Sequence, residues 1–288
     1  MNQTHIVSVV TQSKFYFPYL QKSCIKNNIA LEVIGYGQQW MGFAWRYKLM
    51  LEYLRKLQLY DIVCFIDGYD VISVRNLLEL KNEFLKIKFR ENCKIIVGHD
   101  KIINYFHEKA SNFYFGRCKK LAINAGTYIG FVKDLIEIIE KIMEFNPDYA
   151  DDDQILLTNY CIENTSDFYI DLNNEIFLTI SSPLSEIRQY IDISDGNLSY
   201  NSNKPFFVHA SGYGILDLII HDLKIGSDYE IEKSDIKNLY KKNFINDKIF
   251  YYTKYIIFNY FLLIILICTT LLFFVKYNYS PRSGHYQR

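Results

Sequence analysis

The sequence predicts an α/β domain built on a mainly parallel, mixed sheet. Strand-like apolar runs alternate with helix-like stretches over residues 6–97, the rhythm of parallel strands joined by crossover helices. Ile62–Ile66 is apolar without a break, as expected of a strand covered on both faces. That run, like Phe206–Val208, ends directly in residues that can hold a ligand, and open α/β sheets bind their ligands beyond the carboxyl ends of their strands.

The elements follow in order. Ile6–Val10 reads as the first strand, Lys14–Asn27 as a helix and Leu31–Tyr36 as the second strand. Trp45–Gln58 has helical spacing in Leu49, Leu51, Leu54 and Leu57. Leu77–Lys88 reads as a helix and Lys94–Val97 as a strand. Further on, Ala122–Val132 looks extended, and Leu135–Phe145 and Gln154–Cys161 look helical. Phe168–Asp171, Ile176–Ile180 and Phe206–Val208 are short strand patterns. Ser181–Lys204 is polar and turn-forming, which suggests a long loop or lid.

Composition bounds the function. Of 288 residues 50% are apolar and 22% charged, so the chain can fill a core and is not a disordered segment. Lys plus Arg and Asp plus Glu both number 32, so no nucleic-acid partner is expected. Cys24, Cys64, Cys93, Cys118, Cys161 and Cys268 show no C-x-x-C spacing, and reduced, structural thiols are expected.

Three segments carry candidate chemistry. In Asp61–Asp70 an apolar strand ends in Asp67-Gly68-Tyr69-Asp70. Paired hard oxygen ligands suit Mg²⁺ or Mn²⁺, ions that also hold substrate phosphates; a capped turn is the plainer alternative. Asp151-Asp152-Asp153 precedes a helix-like run. An N-cap and the helix dipole explain two of these carboxylates and leave a third. Phe206–Val208 leads into His209, then Ala210, Ser211 and Gly212, small residues that let a ligand approach.

Together the segments resemble the glycosyltransferase domain of procollagen lysyl hydroxylases and related procollagen-type glycosyltransferases, over roughly Thr4 to Leu218. Ile6–Thr11 is similar to that family's first strand and its nucleotide-contacting Thr. Val33–Trp40 resembles its Leu-Gly-x-Gly-x-x-Trp segment, and Trp45–Lys48 its Gly-Gln-Lys segment, with Lys48 matching the Lys. Phe65–Ile72 is similar to its Asp-Ser-Tyr-Asp-Val metal motif, and Asn124–Gly130 to Asn-Ser-Gly-Gly-Phe-Ile-Gly. Asp151–Gln154 matches its acidic run, and Val208–Gly212 its Val-His-Gly-Asn-Gly.

The resemblance implies a GT-A-like, Rossmann-type nucleotide-sugar-binding domain. It implies Mn²⁺ or Mg²⁺ on Asp67, Asp70 and His209, and a UDP-sugar contacted by Thr11, Trp40, Lys48, Tyr69, Asn124 and Gly212, with Tyr69 against the uracil. Asp152 and Asp153 would act catalytically on the sugar or the acceptor. UDP-glucose or UDP-galactose is the implied donor. A hydroxyl is the acceptor, with hydroxylysine or galactosyl-hydroxylysine of a collagen-like chain the leading candidate. The family's Gly-rich stretch is reduced to Gly42–Trp45, which leaves the donor-side loop and the choice of sugar open. The alternatives are an inactive, membrane-tethered sugar-binding or scaffold protein of the same fold, and a metal-dependent phosphohydrolase.

The carboxyl end carries a further expectation. Ile256–Val275 is uncharged and apolar, flanked by Tyr251, Tyr252, Tyr255 and Tyr277 and bracketed by Lys254 and Lys276. It is about the 20 residues that a membrane-crossing helix needs. The expected organisation is a catalytic domain over 1–222, a charged connector over 223–254, a transmembrane helix over 255–276 and a polar tail over 277–288. The membrane would then be a partner through a single-pass C-terminal anchor. No amino-terminal signal is legible, and a slight Lys excess upstream of the span favours a cytoplasmic catalytic domain. Asn164-Thr-Ser166 and Asn197-Leu-Ser199 would be glycosylation acceptors if that domain were luminal.

Overall fold

Two apolar faces per strand and one apolar stripe per helix assemble into a layered α/β domain. The computed structural model describes residues 2–100, 105–180, 190–194, 196–211 and 216–226, together with 253, 257, 260, 265 and 267–272. The strands are β1 Thr4–Val9, β2 Leu31–Ile34, β3 Ile62–Ile66, β4 Val71–Ser73, β5 Ile95–His99, β6 Ile123–Phe131, β7 Phe168–Asp171, β8 Phe177–Thr179, β9 Ile191–Ser194, β10 Asn197–Tyr200 and β11 Phe207–His209. The helices are α1 Phe17–Lys26, α2 Trp45–Leu54, α3 Leu80–Glu91, α4 Tyr105–Phe115, α5 Val132–Glu144, α6 Asp153–Glu163 and α7 Asp217–Asp222.

The main sheet has six strands in the order β2-β1-β3-β6-β5-β7. β1 pairs in parallel with β2 and β3, and β5 in parallel with β7. β6 is antiparallel to both β3 and β5, so the sheet is mixed and β6 alone runs against its direction. β3 shows why its sequence is apolar throughout. Val63 and Phe65 join the core shared with α2, α5 and α6, while Ile62, Cys64 and Ile66 join the core shared with α1 and α3. Alternate side chains of one strand thus serve two buried faces. α5 supplies a clear stripe: Val132, Leu135, Ile138, Ile139 and Ile142 recur at helical spacing and are all buried.

A second, three-stranded sheet in the order β4-β11-β8 lies beside the end of β3. β4 is antiparallel to β11, and β8 is parallel to it. β9 and β10 form an antiparallel hairpin within the segment expected to be loop.

Two expectations are corrected. Among the described residues no helix is long and apolar enough to cross a membrane. Within 255–276 the described residues are 257, 260, 265 and 267–272. The spanning helix, the membrane as partner and the single-pass anchored location are therefore not supported. The rest of that segment, the tail 277–288 and most of the connector 223–254 lie outside the described residues. Second, Cys118 and Cys161 form a disulfide with Cα atoms 5.7 Å apart, so not all thiols are reduced. Spacing along the chain concealed the pair because the fold, not the sequence, brings the segment before β6 against α6. Cys24, Cys64 and Cys93 are free and buried.

Candidate active site with a metal cluster

The site forms where the two sheets meet. Asp67 follows the last residue of β3, and its N–H donates to the Gly126 carbonyl of β6 at 2.8 Å. Asp70 immediately precedes β4. The register pairs Val71 with His209, and the Ala210 N–H donates to the Asp70 carbonyl at 2.8 Å. Strand pairing therefore carries His209 from the far end of the domain to the Asp67–Asp70 turn. One ligand atom from each of Asp67, Asp70 and His209 lies within 4.8 Å of the others.

The protonation of His209 follows from its neighbours. Asn124 Oδ1 accepts from the Gly126 N–H at 3.0 Å, which fixes an oxygen rather than the amide nitrogen at that position. His209 Nδ1 lies 3.0 Å from the same oxygen, so Nδ1 carries the hydrogen. Nε2 then points at the carboxylates, 3.2 Å from Asp70 Oδ1 and 3.8 Å from Asp67 Oδ2. Both His209 Nε2 and Asp70 Oδ1 are buried without a hydrogen bond. A ring nitrogen oriented through its other nitrogen, beside two carboxylates, is the donor set of a divalent-ion site, and these residues fit one. Burial alone would push His209 below its ordinary pKa, but Asp70 and Asp67 outweigh it and hold the imidazole above that value. The geometry favours positive charge at this point.

Asp67 also reaches toward helix α2. Arg46, buried in the first turn of α2, contacts Asp67 Oδ1 through Nη1 and Asp153 Oδ2 through Nη2. Burial pushes the carboxyls of Asp67 and Asp153 up, while Arg46 pulls both down. The guanidinium is itself held above its ordinary range: burial opposes its charge, and Asp153 and Asp67 together overcome that. Lys48, which the resemblance implies as a UDP-sugar contact, is half exposed and lies 4.0 Å from Glu52 on the same helix. Helical spacing could have pointed to Arg46. Arg46 shares its i, i+4 face with Met50 and Leu54, both fully buried.

The acidic run divides its labour. Asp151 accepts from the Asp148 N–H at 2.8 Å in a turn. Asp152 is the N-cap of α6, and its Oδ1 accepts from Gln154 N at 2.9 Å and Ile155 N at 3.2 Å. Its carboxyl is pushed up by burial and then by the charge of Asp153. Asp153 is buried on Arg46, with its carbonyl accepting from the Tyr47 hydroxyl at 3.0 Å.

At the end of β1 the Tyr69 hydroxyl accepts from the N–H groups of Thr11 at 2.9 Å and Gln12 at 3.3 Å. Its ring lies under Lys14 Nζ at 4.9 Å. Thr11 and Tyr69 are thus side by side, whereas Asn124 serves His209 directly. Trp40 presents an exposed ring edge-on to Phe43 and Trp45 at 5.5 and 5.9 Å. Its loop docks on the acidic turn: Ala44 N donates to Asp151 O at 3.0 Å, and a side chain at Gly42 would run into the Tyr149 carbonyl. Gly212 lies outside the described residues.

The model of the PLOD GT domain matches residues 1–223. The chain belongs to the PLOD GT domain family. Among curated proteins, procollagen-lysine,2-oxoglutarate 5-dioxygenase 2 of Homo sapiens is 23% identical over 196 residues, covering 63% of this chain and 26% of that protein. The multifunctional procollagen lysine hydroxylase and glycosyltransferase LH3 of Homo sapiens is 22% identical over 227 residues, covering 72% of this chain and 29% of its own length. The chain thus spans between a quarter and a third of these relatives. Two solved structures are more distant: a glycosyltransferase involved in the glycosylation of the major capsid of PBCV-1 (TM-score 0.42, 12% identity, 77% of this chain and 98% of that one) and mouse xyloside xylosyltransferase 1 in its apo form (TM-score 0.43, 10% identity, 74% and 99%). Neither likeness is strong enough to bear on function. The PLOD GT domain of this chain is a GT-A-like glycosyltransferase domain with a candidate divalent-metal cluster at Asp67, Asp70 and His209.

Proposed function

We propose that this domain transfers glucose or galactose from a UDP-sugar to a hydroxyl acceptor, hydroxylysine or galactosyl-hydroxylysine of a collagen-like chain, with Mn²⁺ or Mg²⁺ as cofactor. The observation that carries the reading is the convergence of Asp67, Asp70 and His209, with His209 held by Asn124 so that Nε2 faces both carboxylates. A bound divalent ion supplies positive charge where the departing diphosphate gains negative charge. Asp67, Asp70 and His209 would hold that ion. Thr11 and Tyr69, joined at the end of β1, are suited to the nucleoside, and the Trp40 ring adds an apolar wall. Asp152 and Asp153, at the start of α6, are the candidates to orient the sugar or to take the proton of the acceptor hydroxyl. The procollagen substrate named for the human relatives supports the acceptor class.

The test is a donor screen with Mn²⁺ that measures UDP release, first into water and then with a collagen-like peptide. Wild-type protein should release UDP and glycosylate the peptide, and Asp67→Asn with Asp70→Asn should do neither while keeping the wild-type circular dichroism. Unchanged turnover in that double variant would refute the metal assignment, and release of inorganic phosphate without sugar transfer would point to hydrolysis instead.

A further inference from the structure

We propose that Arg46 is a positioning residue that couples the acid-bearing helix α6 to the ion site. The proposal rests on the reading that Asp67, Asp70 and His209 hold a divalent cation. Arg46 is one buried guanidinium shared by two carboxylates on separate elements, Asp67 after β3 and Asp153 at the start of α6. It lies against the rings of Phe43 and Phe65, at 5.3 and 5.7 Å from their centroids, so its plane is held as well as its charge. The Tyr47 hydroxyl, on the next residue of α2, fixes the backbone of Asp153.

The carboxylate of Asp67 is divided by this contact. Asp67 gives Oδ1 to Arg46 and turns Oδ2 toward His209, which leaves a single oxygen for an ion. With His209 neutral, as a ligand to an ion must be, the carboxylates of Asp67, Asp70 and Asp153 exceed the one guanidinium by two negative charges, which matches a divalent cation. Asp152 is compensated separately by the backbone N–H groups it caps. Asp153 is outside the ligand group, yet it decides how much of the Arg46 charge falls on Asp67. Neutralising Asp153 should move the guanidinium onto Asp67, where it competes with the ion.

A double-mutant cycle on the full chain tests this, with Mn²⁺ alone as the probe in calorimetric titration and no donor present. Asp153→Asn should weaken Mn²⁺ binding about tenfold in the wild-type background and much less in Arg46→Met, a non-additivity of about threefold or more. Arg46→Met itself should bind Mn²⁺ no more weakly than wild type, because a competitor for Asp67 is gone, while its UDP-sugar turnover falls. A merely structural role for Arg46 would weaken both. If Arg46→Met does not fold, the same cycle is run with Arg46→Lys, which keeps the charge and loses the two-pronged grip. Additive effects in a wild type that takes up Mn²⁺ would overturn the coupling and leave the metal reading standing. A wild type that takes up no Mn²⁺ would overturn both.

Discussion

Gly126 has no side chain for a reason set by its neighbours. A Cβ there would lie 2.5 Å from both Asp67 Oδ2 and His209 Cε1, closer than packed atoms tolerate. The residue's N–H orients Asn124, and its carbonyl holds the Asp67 backbone. Gly126→Ala should therefore keep the fold but displace a ligand, lowering Mn²⁺ affinity by about 10- to 100-fold, the range seen when groups that orient metal ligands are lost. Calorimetric titration beside a circular dichroism spectrum checks this; wild-type affinity would show that the cluster can yield without loss. Asp67 and His209 were legible in the sequence because each directly follows a strand-like run, and Asp70 because it stands three positions after Asp67. Arg46 was not. The motif resemblance points to Lys48, whereas Arg46 stands on the inward face of α2, four and eight positions before the buried Met50 and Leu54. Asn124, which the resemblance implies as a contact of the UDP-sugar, also orients His209, a partner 85 residues away that no local pattern announces.

Asp171 shows an element built around a buried carboxylate. It ends β7, and its oxygens accept from the N–H groups of Glu175 at 2.9 Å, Ile176 at 2.8 Å and Phe177 at 2.9 Å. That turn delivers β8 to its place beside β11, where Thr179 pairs with His209. Burial pushes the Asp171 carboxyl up to about 6 from an ordinary 3.8, against the pull of the three N–H groups. A carboxyl raised on folding contributes stability that is full below the unfolded value and is lost as pH rises through the folded one. Between about pH 4 and 6 this group should take roughly 3 kcal/mol from the domain as pH rises. Urea unfolding across that window should show the slope, and Asp171→Asn should flatten it while costing about 1–3 kcal/mol for N–H groups left facing an amide. An unchanged slope in the variant would assign the effect elsewhere. At α6, Asp152→Asn keeps the capping oxygen, so thermal stability should stay near wild type. A large loss of sugar transfer with UDP binding retained would then give Asp152 a chemical role, and full activity would leave it a cap. The central β/α alternation and β3 were readable because burial on both faces writes a continuous apolar run. The three-residue β4 and the hairpin β9–β10 were not, since Val71–Ser73 is too short for a period to register and β9 and β10 are four-residue strands with only two apolar positions each, set among polar, turn-forming residues.

At the scale of the whole molecule, distant parts are joined by contacts that no local pattern announces. The second sheet brings β11 back to the end of β3, and the Cys118–Cys161 disulfide closes a loop with a sequence separation of 43 around β6 and α5. Both sulfurs lie in fully buried residues of the core shared by α2, α5 and α6, so the bond acts as a structural tie. Cross-linking a loop of this size restricts the unfolded chain and stabilises by about 2–4 kcal/mol. Replacing both residues, Cys118→Ala with Cys161→Ala, should lower the melting temperature by on the order of 10 °C. Part of the loss will come from the space the sulfurs leave in a packed core, so the variant alone does not isolate the cross-link. The distinguishing measurement is urea unfolding with and without a thiol reductant. Wild type should lose about 2–4 kcal/mol when reductant is present, because the unfolded state is then freed from its loop. The double variant should unfold at the same midpoint in both conditions. Cys24, Cys64 and Cys93, free and buried, contribute equally to both proteins and cancel. A wild type indifferent to reductant would show that Cys118 and Cys161 are neighbours in the core without being bonded in solution.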